Sequence, residues 1–426
     1  MAQPPPSHPT KKLALKHLRP SDLRAAAQLA VQATRGVATM AEGVHYAVLG
    51  TMGLNGRINK KMPHPQIGGL TGFVYRTVHG VTELVGKGLQ AAFTKLEPML
   101  AALVDAPPDT PEREAVLAAL NGVLGDQLEQ SHNPLATPMT LRYQGCVLNI
   151  NALPAMPGAT GKVLLLIHGL CMNELQWTPG EPAADGEPAA DIPAALAAEL
   201  GYTPVYLRYN TGRHTSQNGR ELASMLEQLL AHWPVPVKEL TVVVHSMGGL
   251  VIRSAIHCAH QHNWCWPQQL KNIVFLGTPH HGSPLERAGN WIDVLLGATP
   301  FSKPFAKLGQ LRSAGITDLR YGFVLESDWA NQDRFKRKAD SRQPLALPDG
   351  VACYTVAATT AAKRSPLADR VIGDGLVPLH SALGQHTDLR HQLVFAEANQ
   401  AIVYRTNHMA MLHSPEVVRQ VVQWLK

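Results

Sequence analysis

Leu240 to Val244, apolar but for Thr241, lead through His245-Ser246-Met247-Gly248-Gly249 into a helix-patterned segment ending near His260. A short apolar run so bounded reads as a strand buried on both faces, as in a parallel sheet. The turn must be built of small residues because the helix packs closely against the strand, and Gly248 meets that need. A serine on such a turn is forced outward at the end of the sheet, with a helix N-terminus beneath it. The backbone N–H of Met247 would then point at a developing oxyanion. The alternative for Ser246 is a plain helix cap.

The rhythm continues on both sides. Val163 to Ile167, between Gly161 and Gly169, is a second buried strand. Met139 to Ile150 suggests a strand pair. Pro204–Leu207, Asn272–Leu276, Ala352–Ala357 and Gln392–Phe395 read as further strands. Helices are expected over Leu196–Leu200, Gly219–His232, Gly248–His260 and Glu416–Leu425. This alternation predicts an α/β fold with a doubly wound, mostly parallel sheet over residues 136–426. Between Leu276 and Ala352 about 75 residues break the pattern, and loops of that length are usually functional. They hold Trp291 to Leu296, Phe301, Phe305 and the charged run Arg334 to Lys338. Residues 284–350 or so therefore read as a lid-like insertion.

Upstream, residues 1–20 read as a disordered, Pro-rich basic tail, and residues 21–135 as an N-terminal helical region. Ser21 can cap a first helix reaching about Leu49. Residues 50–69 are a loop. A second helix from Thr71 to about Val104 carries an apolar stripe through Phe73, Val74, Val78, Val81, Leu84, Val85 and Leu89. Pro107 and Pro108 stop it, and Thr110-Pro111-Glu112 starts a third. A packing appendage or dimer contact ranks ahead of membrane binding here, because Lys95 and Glu97 break the apolar run.

Composition narrows the classes. Of 426 residues, 45% are hydrophobic and 16% charged, enough apolar material for a large core. The formal net charge of +6 permits weak attraction to anionic surfaces. No basic stripe with interleaved aromatics is present, which argues against nucleic acid. Five cysteines, an odd number, lack zinc-finger spacing and read as reduced thiols. Neither a signal peptide nor an apolar stretch of spanning length is visible. The expectation is a cytoplasmic protein, with peripheral membrane contact left open and no cofactor.

Three segments together carry a resemblance: His245-Ser246-Met247-Gly248-Gly249, Leu165-Leu166-Ile167-His168-Gly169-Leu170, and Gly277-Thr278-Pro279-His280-His281-Gly282-Ser283. Over roughly residues 140–426 the chain resembles the α/β-hydrolase superfamily, specifically lipase-like serine esterases. It departs from G-x-S-x-G in having Val244 where the first Gly belongs. The resemblance implies Ser246 as nucleophile, with an acid and then a histidine following in chain order. Gly373-Asp374-Gly375-Leu376-Val377-Pro378 resembles the family's acid turn and marks Asp374, with Asp369 as the competitor. His408 lies before the closing helix and is favoured over His413, which looks like a helix-entry residue. The oxyanion donors would be the N–H groups of Leu170 and Met247. His168 and His245 read as loop supports. His280 and His281 lack a carboxylate partner at metal-ligand spacing. The implied activity is a serine carboxylester hydrolase acting on an apolar or lipid-like acyl ester through an acyl-enzyme on Ser246. An acyltransferase using the same triad, and a membrane-associated scaffold with a hydrolase fold, stay open, as do the natural ester and the oligomeric state.

Overall fold

The computed structural model describes residues 110–426 apart from 151–152, 154–155, 157, 180–189, 284–311, 334–339 and 364–372, together with residues 58–59 and 66–67. The expected tail, the first two helices and the apolar start of the insertion lie outside the described residues. The chain divides into two compact units, one of Met1–Thr110 with His132–Leu135 and one of Pro111–Ser131 with Ala136–Lys426. In the first, β1 (Ile58–Asn59) pairs antiparallel with β2 (Gln66–Ile67), within a stretch expected to be loop.

The second unit opens with α1 (Pro111–Gln130), which starts where Pro111 supplies a preset φ. Sequence periodicity groups this helix with the segment before it, whereas its contacts place it with the sheet. A hairpin follows, β3 (Thr140–Tyr143) and β4 (Cys146–Val147), and then β5 (Lys162–Ile167). Next come α2 (Ile192–Leu200), β6 (Thr203–Arg208), α3 (Thr215–Ala231) and β7 (Glu239–His245). The chain continues through α4 (Gly248–Gln261), β8 (Leu270–Leu276), α5 (Ala314–Asp318) and β9 (Ala352–Thr359). It closes with α6 (Leu379–Ala382), β10 (Gln400–Tyr404) and α7 (Pro415–Leu425).

The eight strands β3 to β10 form one sheet in the order β10-β9-β8-β7-β5-β6-β3-β4. From β10 to β6 every pairing is parallel; β3 runs antiparallel to β6 and to β4. The order steps across itself between β5, β6 and β7, so crossovers must cover both faces. The period-2 alternation of the strands shows this directly. Val163, Leu165 and Ile167 of β5 and Leu240, Val242 and Val244 of β7 face one layer, packed with Leu222 and Leu226 of α3 and Val251 and Ile252 of α4. Leu164, Leu166 and Val243 face the other, packed with Leu196 of α2 and Val417 and Val421 of α7. Each such side chain contributes about 1.5–3 kcal/mol on burial, and this is why these strands read as continuous apolar runs. Val244 is fully buried in the first layer, which is where the residue departing from G-x-S-x-G is used.

One expected strand is absent. Gln392–Phe395 has strand-like alternation, with Leu393 and Phe395 buried and Val394 83% exposed, yet it joins no ladder. Leu393 N–H bonds instead to the Gly384 carbonyl of a turn (2.9 Å), and Phe395 packs edge-on to Phe275. The strand beside β9 is Gln400–Tyr404, an edge strand whose only fully enclosed side chain is Val403. Residues 313–319 of the long insertion are packed inward: Ala314, Ile316 and Leu319 are buried, and Ser313 Oγ donates to Gly122 O (2.6 Å).

Candidate active site

Everything that positions Ser246 follows from the end of β7. Ser246 is 2% exposed and has φ +54°, a left-handed conformation that β-carbon-bearing residues adopt at a cost of about 1–2 kcal/mol. Its N–H donates to Leu276 O at the end of β8 (2.9 Å), which continues the ladder one residue past the strand. The helix then starts immediately, with Gly249 N–H donating to Ser246 O (3.1 Å). Glycine is required beside it by close approach: a Cβ on Gly248 would lie 2.7 Å from Ile167 O and 2.9 Å from His168 O.

Asp374 and His408 meet from two further loops at the same end of the sheet. His408 Nδ1 lies 2.6 Å from Asp374 Oδ2, and both side chains are almost fully enclosed. The other carboxylate oxygen accepts N–H bonds from Leu376 (2.9 Å) and Val377 (2.7 Å). The backbones are tied as well, since His408 N–H donates to Asp374 O (3.0 Å). The Asp374 carboxylate thus acts as an acceptor at every contact, which puts the histidine proton on Nδ1 and leaves Nε2 with a lone pair. That Nε2 is buried and has no hydrogen-bond partner. The turn following Leu276 reaches the same pair: a Cβ on Gly277 would be 3.2 Å from both Asp374 Oδ2 and His408 Cε1.

The loop after β5 supplies the opposite wall. Gly169 lies against the serine, since a Cβ there would be 2.9 Å from Ser246 Cβ. Leu170 and Met247 are buried, and among the described residues neither backbone N–H donates to a protein acceptor. Buried N–H groups without partners are rare, and two near one serine can serve a developing negative charge.

Four neighbouring histidines have supporting places. His245 Nε2 donates to His408 O (3.0 Å), and the two rings lie 4.5 Å apart. Burial, followed by repulsion from His408, keeps the His245 imidazole neutral well below the ordinary range. His168 stacks on Tyr209, whose hydroxyl donates to His168 O (2.8 Å). Burial lowers its pKa to about 4. His280 sits between Phe275 and Phe395, and His281 N–H donates to Ser381 Oγ (3.1 Å). Among the described residues no group of three or more His, Cys, Asp or Glu side chains is arranged to hold a metal ion. His413 ends a short 3-10 turn, after which Ser414 caps α7, as its helix-entry reading expects. Asp369 lies outside the described residues.

Two supports escape sequence reading. Ser283, at the end of the Gly277–Ser283 segment, donates to Leu376 O (2.6 Å) and so braces the acid turn from outside. Asp318 of α5 accepts from Thr215 N–H (2.7 Å) and pairs with His214 Nδ1 (2.8 Å), fixing the loop after β6. Neither has a local motif, because the partners lie 93 to 104 residues apart.

A parallel sheet in this strand order, a serine at φ +54° on the strand-to-helix turn, and a histidine–carboxylate pair from later loops define the α/β-hydrolase fold. The chain has that fold. A family model described as Domain of unknown function (DUF7379) matches residues 149–317, less than half of the chain. Among solved structures the chain is similar to the mature form of Bacillus licheniformis lipase BlEst2, at 18% identity over 67% of this chain and 97% of that one, with a TM-score of 0.40. It is similar also to Staphylococcus hyicus lipase, at 13% identity over 64% of this chain and 98% of that one, with a TM-score of 0.36. A third is the NocB thioesterase domain, at 13% identity over 67% of this chain and 100% of that one, with a TM-score of 0.37. Comparison with curated proteins gives no match. No helix among the described residues is long and apolar enough to cross a membrane.

Proposed function

We propose that the chain is a serine carboxylester hydrolase that acts on an apolar, lipid-like acyl ester, with Ser246, His408 and Asp374 as its triad. The observation that carries this is the His408 imidazole: held at Nδ1 by Asp374 at 2.6 Å, and bearing a buried, unpartnered Nε2 at the end of the sheet where Ser246 takes its left-handed turn.

Ser246 Oγ attacks the ester carbonyl carbon as its proton passes to His408 Nε2, and the carbonyl electron pair moves onto oxygen. The N–H groups of Leu170 and Met247 donate to that oxyanion. The imidazolium is held by Asp374, which keeps the ring oriented without taking its proton. Collapse of the adduct breaks the carbon–oxygen bond to the alcohol, which leaves with the proton from Nε2. A water then attacks the acyl-enzyme, giving its proton to Nε2; the bond to Ser246 Oγ breaks, Oγ takes that proton back, and the acid departs.

The apolar character of the acyl group rests on the insertion sequence, with Trp291, Ile292, Val294, Leu295, Leu296, Phe301 and Phe305. Hydrolysis of p-nitrophenyl esters of increasing acyl length by wild type and Ser246→Ala tests the reading. Turnover that vanishes in Ser246→Ala supports it; equal rates in the two proteins overturn it.

A further inference from the structure

The loop that carries Leu170 is held from outside the sheet. Cys171 N–H donates to Thr211 Oγ1 (3.2 Å), and Asn173 Nδ2 donates to Glu114 O on α1 (3.1 Å). Glu174, the next residue, is 6% exposed. Its carboxylate is gripped by Arg208 through Nε (2.7 Å) and Nη2 (2.5 Å), and Arg142 adds an ion pair, with its Nε 2.9 Å away. The same Arg208 guanidinium turns its Nη1 to Glu114 Oε2, so one cation bridges the first turn of α1 and the loop. Two turns further along α1, Gly122 lies directly against Cys171. A Cβ there would run into Cys171 Sγ and would stand 3.0 Å from Cys171 Cα and N. Cys171 itself has φ +57°, a strained position that this packing fixes.

Buried ion pairs are a weak source of net stability, since apolar side chains of like volume often serve as well. What a bidentate guanidinium–carboxylate fork supplies is direction. Direction is what an oxyanion donor needs, because misplacement by about 1 Å costs up to 10²-fold in rate. We infer that α1 belongs to the catalytic apparatus: Glu114, acting through Arg208 and Glu174, and Gly122, acting through Cys171, are positioning residues that set the Leu170 N–H. This rests on the esterase reading above.

The test measures kcat and KM on a p-nitrophenyl ester for the full chain, with functional sites counted by fluorophosphonate titration so that misfolded protein does not enter. Glu114→Gln removes the charge and keeps the shape. Gly122→Ala pushes on the loop, and adding Cys171→Gly removes Sγ and relieves the left-handed backbone. Glu199→Gln, in an exposed ion pair with Lys426, is the control. Glu114→Gln and Gly122→Ala are expected to lose about tenfold in kcat per site with KM within about twofold, the mark of a group felt only in the transition state. The double variant should regain most of that loss. Should Glu114→Gln fail to fold, the Gly122 pair decides. Variants that melt earlier yet keep wild-type kcat per site would reduce α1 to a structural brace and overturn the inference alone. A wild type no faster than Ser246→Ala would overturn the esterase reading and this inference with it.

Discussion

His245 Nε2 holds the backbone carbonyl of His408 at 3.0 Å, so the residue before the serine anchors the main chain of the residue proposed as that serine's base. Since His245 is kept neutral by burial, its one ring proton is committed to this bond. Removing the donor leaves a buried carbonyl unsatisfied, at about 1–3 kcal/mol. His245→Ala is expected to lower the melting temperature and to reduce kcat about tenfold with little change in KM. His245→Gln, which retains a donor, should recover part of both. Steady-state kinetics beside thermal unfolding checks this.

Asp374→Asn separates orientation from folding. The amide oxygen can still accept the N–H groups of Leu376 and Val377, so the turn should hold. Its NH2 group facing His408 Nδ1 would force the proton onto Nε2, the atom proposed to act as base. A loss of about 10⁴ in kcat is expected, with near-native stability. Kinetics with circular dichroism on the same samples checks both halves.

Buried neutral histidines set an acid limit. The His168 pKa is lowered to about 4 and that of His281 to about 3, in each case first by burial, from the ordinary 6.5. Between those values and 6.5 the unfolded chain binds protons that the folded chain does not, so stability falls as pH drops through this window. His168 alone contributes about 3 kcal/mol of that loss. Urea midpoints should decline from pH 7 to pH 5, and His168→Gln should flatten the slope.

Ser283→Ala removes a buried hydrogen bond of 2.6 Å to Leu376 O. The expected loss is about 1–2 kcal/mol of stability, with a smaller fall in kcat because the acid turn keeps its own N–H contacts to Asp374. Chemical denaturation and kcat per titrated site distinguish the two effects.

The parts of the site legible in the sequence are those built by local geometry. Ser246 stands out because a buried strand, a small-residue turn and a helix are contiguous. Asp374 stands out because its turn keeps both oxygens on local N–H groups and on His408. The strand beside β9 was less visible: Gln392–Phe395 has the stronger alternation, whereas β10 is an edge strand whose single enclosed residue, Val403, gives little periodicity. The brackets on the loop after β5 were invisible for a different reason. Glu114, Asn173, Glu174 and Arg208 are joined across 34 to 94 residues, and no spacing rule links a helix N-terminus to the end of β6. For the same reason α1 reads from sequence as part of the upstream helical region, although its Gly122 face packs on Cys171.

Intact-mass analysis with peptide mapping after fluorophosphonate treatment tests the central claim most directly. One stoichiometric adduct is expected, on Ser246, formed by the native full chain and absent both when the protein is denatured before treatment and in His408→Ala. Native protein that stays unlabelled at Ser246, or that labels equally fast without His408, would contradict it.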